Sequence, residues 1–180
     1  MMRKKFKKMR KNIIISSFLL FSTFAFSQVA IGKSAVTNNS VSLEFGTGQR
    51  GLVLPWVDAD TSVTGAVAGT IIYDTTDKKV KVKKVASGWK DLSVDATGVV
   101  DKTLQAQLTE LSTAKVAIGV DGATDNTPGI LVLTDTNKAM ILPKTTYSAV
   151  VNPAAGMMIY DTTAKQLAVF NGTVWSFWKP

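Results

Sequence analysis

The sequence predicts a mainly β protein. Two tandem small antiparallel β modules, joined by a short helix, follow an N-terminal signal peptide. Three observations carry that expectation. The stretch Gly69-Thr70-Ile71-Ile72-Tyr73-Asp74-Thr75-Thr76 returns 87 residues later as Gly156-Met157-Met158-Ile159-Tyr160-Asp161-Thr162-Thr163. Around both copies apolar residues alternate at period 2, the spacing of a strand with one buried face. Glycine, asparagine, aspartate and proline interrupt these runs at short intervals, as turns require. The expected units are residues 1–27 (signal peptide), 28–95 (first module), 96–115 (helical linker) and 116–180 (second module).

The leader is the clearest of these by composition. Of 21 Lys and Arg residues, seven fall in the first 11 positions, with no acid among them. Residues 13–26 are apolar apart from Ser and Thr, and Ala25-Phe26-Ser27 places small residues two apart. A basic segment, an apolar run and a small-x-small site make a secretory signal peptide, with cleavage expected after Ser27. An uncleaved anchor is the alternative, but a membrane-spanning helix needs about 20 apolar residues and this run is shorter. The protein is therefore expected in the periplasm, on the outer-membrane surface or outside the cell.

Removing the leader changes the meaning of the charge. The whole chain has a formal net charge of +8, but residues 28–180 hold 14 bases against 13 acids. No basic surface is left to neutralise phosphates, which argues against nucleic acid as a partner. The chain has no cysteine and no histidine. That removes disulfides, Ser-His-Asp catalysis and His-ligated zinc. No cofactor, no metal and no enzymatic activity are expected.

Val29-Ala30-Ile31-Gly32 opens the first module and Val116-Ala117-Ile118-Gly119 opens the second. In the first, Val41, Leu43 and Phe45 alternate with Ser42 and Glu44. Gly46 to Gly51 supplies turn residues, and Leu52-Val53-Leu54 runs to Pro55. Residues 41–54 are expected to form a β-hairpin. In the second, the strands 130–133 and 140–142, stopped by Pro143, follow the same plan. After a polar connector, the repeated motif forms a strand. Asp74 to Lys78 turns the chain, since Asp and Thr oxygens bond nearby backbone N–H groups. Val80 and Val82 then alternate with Lys81 and Lys83 on the return strand, matched by Leu167 and Val169. Trp89 closes the first module. Asn171-Gly172, a hairpin signal, leads to Trp175 in the second. Each final strand is expected to bring its Trp onto the face carrying the Tyr or the valines. In the linker, Leu104, Leu108 and Leu111 recur at i, i+4 and i+7 behind Asp101, a helix of about three turns packing on a sheet or on copies of itself.

Candidate chemistry is sparse. Asp74 and Asp161 could be acids or cation ligands, but a duplicated turn accounts for both. Asp121, Asp125 and Asn126 offer oxygens for calcium without the ligand alternation or closing Glu of an EF-hand, so a solvated loop competes. Gly46, Gly48 and Gly51 carry the dinucleotide-binding letters but open no helix. Tyr73, Asp74, Trp89, Tyr160, Asp161 and Trp175 are taken as structural repeat positions. Trp56 aligns with Lys144, and Phe177 and Trp178 lie past the repeat, so these three are the candidate ligand- or partner-binding residues. Exposed aromatics serve sugar rings and partner surfaces alike.

The order Val-Ala-Ile-Gly, Gly51-Leu-Val-Leu-Pro55, Gly69-Thr-Ile-Ile-Tyr-Asp-Thr-Thr76 and Asn171-Gly-Thr-Val-Trp175 resembles β-repeat modules of secreted and cell-surface proteins of Bacteroidota and of phage tail-fibre-like proteins. The resemblance covers nearly all of residues 28–180. It implies a non-enzymatic extracellular module that self-associates, as a trimer, or joins a larger surface complex serving adhesion, gliding, secretion or a fibre. Carbohydrate binding through the exposed tryptophans is the alternative function.

Overall fold

The period-2 runs become strands, all of them short. The computed structural model describes residues 27–178 apart from 87, 104, 110 and 112. The first half runs β1 (Val29–Ile31), β2 (Val41–Phe45), β3 (Leu52–Val53), β4 (Trp56–Val57), β5 (Ile71–Asp74), β6 (Lys79–Lys83) and β7 (Trp89–Asp91). The second runs β8 (Val116–Ile118), β9 (Leu131–Leu133), β10 (Ala139–Ile141), β11 (Lys144–Thr145), β12 (Met157–Asp161), β13 (Gln166–Phe170) and β14 (Trp175–Trp178). The expected signal peptide lies outside the described residues except for Ser27, as do Lys179 and Pro180.

The same pairings occur in both halves. β1 runs parallel to β2 with Val29 opposite Leu43, and β8 runs parallel to β9 with Val116 opposite Leu131. β4–β5–β6–β7 is a four-stranded sheet, and β11–β12–β13–β14 repeats its order. In each, the first pair is parallel and the others antiparallel. Both antiparallel meanders are therefore present, each with one short parallel strand on its edge.

Two strands leave their own half. β3 pairs antiparallel with β12, Leu52 opposite Met158 and Val53 opposite Met157. β10 pairs parallel with β2, with Met140 opposite Leu43. The expected hairpin over residues 41–54 is thus not formed, nor is its counterpart over 130–142. Alternation defines a strand and its faces but not its neighbour. Here Gly46 N–H donates to the Ile31 carbonyl at 2.7 Å, drawing the chain along β1 instead of back on β2. A Cβ on Gly46 would stand 2.2 Å from the Gly32 carbonyl oxygen, so the approach needs glycine. Ser42 and Glu44, the polar side of β2, are buried. Lys33 and Thr37 close over Glu44, each bonding the carboxylate at 2.6 Å.

The core lies between the two meanders. Alternation puts Tyr73 and Val80 on one face of the first and Met158 and Val169 on one face of the second. These four join Leu54 and Ala155 in a single cluster. The valine, leucine and methionine side chains among these contribute about 1.5–3 kcal/mol each when fully buried. The opposite face of the second meander buries Ile159 and Ala168 with Val150, flanked by Met157 and Trp175.

Register corrects the placing of the tryptophans. Trp89 lies opposite Lys83 and Trp175 opposite Phe170. Strand parity therefore sets both on the face away from Tyr73, Val80, Val169 and Tyr160. The linker differs too. Its described residues hold one 3-10 turn, Gln105–Gln107, with Leu108 and Leu111 exposed; Leu104 lies outside the described residues. A three-turn helix has marginal stability alone, and nothing in the core cluster covers these leucines. Asp101 still caps locally, accepting from Thr103 N–H at 2.9 Å.

Candidate assembly interface

The repeated aspartates turn the chain. Asp74 accepts from the N–H groups of Thr76, Asp77 and Asp60, each at 2.9 Å. Asp161 accepts from Thr163 at 2.9 Å, Ala164 at 2.6 Å and Tyr147 at 2.7 Å. Burial works against the charge of both. For Asp74, bonds from the Asp77 N–H, the Lys81 ammonium and the Asp60 N–H outweigh it and lower the pKa. For Asp161, the three N–H groups alone do so. Carboxylates held ionised by fixed N–H donors are poor proton carriers.

The first half adds Lys81, where the second has Ala168. The Asp60, Asp74 and Asp77 carboxylates lie within 4.8 Å of one another. The Lys81 ammonium sits among them, 2.9 Å from Asp60 and from Asp74 and bonded to Asp77. Burial disfavours its charge, but the bonds to Asp77, Asp60 and Asp74 prevail and raise its pKa. A bound lysine supplies the charge that a cation would bring. In the loop at 121–126, Asp125 is likewise engaged by Lys115 and Thr127.

The most specific contacts join the two halves. Trp56 donates its indole N–H to the Ala155 carbonyl at 2.7 Å, and Leu54 N–H bonds the Gly156 carbonyl at 3.0 Å. Tyr73 donates its hydroxyl to the Asn171 carbonyl at 2.6 Å. Burial, with the adjacent Asp74 charge, pushes its pKa up to about 12, so it remains a donor. Gly156 has φ +74°, and a Cβ there would come 2.8 Å from the Tyr73 Cβ. Asn171 is fully buried. Its amide holds Asp95 at 2.7 Å, and its side-chain oxygen caps Thr173 and Val174 N–H.

The three candidate binding aromatics are not brought together. Trp56 belongs to this junction. Trp178 stands at its rim, with the Lys90 ammonium 5.7 Å from the ring centroid. Phe177 lies on the other face of β14, edge-on to Tyr147 at 5.2 Å, and Tyr147 also meets Trp175 at 6.4 Å. Trp89 carries Lys83 over its ring. The sequence alone gives Gly156, Asn171 and Lys81 no role beyond strand and turn. Only Lys81 left a usable signal, a charge on a return strand whose counterpart is alanine.

The junction uses only half of the repeated surface. Tyr73 is 0% exposed, whereas its counterpart Tyr160 is 39% exposed. Leu43 is 1% exposed beneath β10, whereas its counterpart Leu131 is 42% exposed. Gly69, the counterpart of Gly156, has φ +88° and open space where a Cβ would stand.

Residues 118–179 match a family model described as a phage tail like trimerisation region. The matched region is about a third of the chain and runs from β8 to β14. It therefore contains the whole second meander, the exposed Tyr160 and Leu131, and Asn171. No curated protein and no solved structure matches the chain.

Proposed function

We propose that this protein is a structural, non-enzymatic component of a fibre-like assembly, built by association of three copies. The observation that carries this reading is the likeness of residues 118–179 to a phage tail like trimerisation region. Short sheets with unpaired edges support it, because such edges favour strand addition by another chain. The protein is exported through its leader and works at or beyond the cell surface, in adhesion, gliding, secretion or a fibre.

Light scattering across a dilution series, on protein recovered from cells expressing the full chain, tests this. The expected mass is that of three chains, with Gln28 at the N-terminus. A single-chain mass at every concentration overturns it. Exposed Phe177 and Trp178 favour glycan binding as a second reading. A glycan that shifts tryptophan emission supports that reading, and silence across a broad panel removes it.

A further inference from the structure

Resting on self-assembly as read above, we infer that copies join head to tail through a second edition of the junction already present inside the chain. Tyr160 and β10 of one copy dock on Gly69 and the N-terminal half of β5 of the next. The chain carries both halves of this contact unused.

The internal junction has two faces. One is built from β3, Trp56 and Tyr73, and the other from Gly156, β12 and Asn171. The repeat reproduces the first as β10, Lys144 and Tyr160, and the second as Gly69 and β5. Among the described residues, β3 fills the edge of β12 beside β11, whereas the corresponding edge of β5 beside β4 carries no strand. Among the described residues β10 pairs with β2 alone, and its other edge suits that slot. The reverse exchange also lacks its partner. β10 lies beside Leu43 on β2, while among the described residues β9 pairs with β8 alone and Leu131 is exposed. The free edge of β3 from the next copy fits there, with Leu52 against Leu131.

A second copy is the occupant because only it presents this set together: an alternating strand end, a tyrosine and a glycine of positive φ at matching positions. One surface binding a different surface of an identical chain is a heterologous contact, which closes into a ring or runs on as a filament. Self-association through the same face on both copies would instead place Tyr160 against Tyr160.

The register inside the chain sets the test. Val53 opposes Met157, and the counterparts are Ile141 and Thr70. Antiparallel partners stand about 4.5–5.5 Å apart at Cα, within disulfide reach. The chain has no cysteine to interfere. The full chain carrying Thr70→Cys with Ile141→Cys, mildly oxidised and run without reductant, is expected to show chains linked to one another. Val53→Cys with Met157→Cys is expected to link within one chain. In addition, Tyr160→Ala is expected to lower the assembled mass under conditions where circular dichroism shows the dilute chain still folded, Tyr160 being 39% exposed there. Three outcomes overturn the head-to-tail contact while three-copy assembly stands. They are three-chain particles with Thr70→Cys/Ile141→Cys unlinked between chains, Val53→Cys/Met157→Cys linking chains by exchange of the existing junction, or Tyr160→Ala leaving the mass unchanged. A single-chain mass for the unmodified protein overturns assembly itself.

Discussion

Substituting alanine at Gly156 and, separately, at Gly69 measures what the junction contributes. Both glycines have positive φ, +74° and +88°. Forcing an L side chain into left-handed backbone costs about 1–2 kcal/mol at either site. The surroundings then separate them. At Gly156 the new methyl would lie 2.8 Å from the Tyr73 Cβ and 3.1 Å from its Cγ, with the Trp56 indole nitrogen at 3.4 Å. Tyr73 is fully buried and bonded to the Asn171 carbonyl, so it has little room to yield. Overpacking of this kind adds about 1–3 kcal/mol. At Gly69 the methyl meets nothing. Gly156→Ala should therefore lose about 1–3 kcal/mol more than Gly69→Ala, or roughly 2–4 °C of Tm per kcal/mol for a chain of this size. Urea unfolding monitored by tryptophan fluorescence, at a dilution where the particle is one chain, reads the difference. Equal losses at the two sites would show that Tyr73 does not bear on Gly156, and the account of the junction would fail.

Two further outcomes follow from the charged groups. Lys81→Ala, which copies the second half, strands three carboxylates that lie within 4.8 Å of one another. Breaking a buried ion pair from one side costs about 3–5 kcal/mol. The lower end is expected because Asp161 shows that backbone N–H groups alone can hold such a carboxylate. The deficit should shrink in urea titrations as pH falls and Asp74 takes up a proton; a loss independent of pH would refute the contact between Lys81 and Asp74. Bonds from the Lys33 ammonium and the Thr37 hydroxyl hold Glu44 at about 2 against an ordinary 4.5, and Asp74 and Asp161 are lowered as well. A folded-state pKa below the unfolded one gives stability that is complete above the unfolded value and disappears as pH falls through the folded value. Stability should thus decline from pH 4.5 toward pH 2, and Glu44→Gln should flatten part of that slope. A flat urea midpoint across this range would contradict it.

Features set by neighbouring residues could be read from the sequence. Alternation at Tyr73, Val80 and Val82, with Asp-Thr-Thr between strands, defines the β5–β6 turn without reference to the rest of the chain. The same holds for β12 and β13. Choice of partner could not be read this way. The residues Leu52-Val53-Leu54 would suit any apolar edge, and the edge they join lies about 100 residues away. The leucine spacing in the linker satisfied a helical period, but a period needs a surface to pack on, and Leu108 and Leu111 remain exposed. Comparing the copies did mark Trp56 as exceptional, because Lys144 replaces it. In the structure its indole N–H is bonded inside the chain, to the Ala155 carbonyl. Asn171 was read as a turn residue and does cap the turn, although its loop spans four residues between β13 and β14. Its burial and its bond to Asp95 depend on the other half.

The exchange of β3 and β10 also dictates the order in which the molecule can fold. β2 waits for β10, and β3 waits for β12, across sequence separations near 100 residues. Long-range pairing of this kind slows folding, since the loop must close before any contact rewards it. The early strands therefore cannot reach their final partners while the chain is still emerging. The first meander can form locally, but Tyr73 finds its acceptor only after Asn171 has arrived. Folding is thus expected as one late, cooperative event, and partial chains released before that point would present β2 and Leu43 as sticky edges.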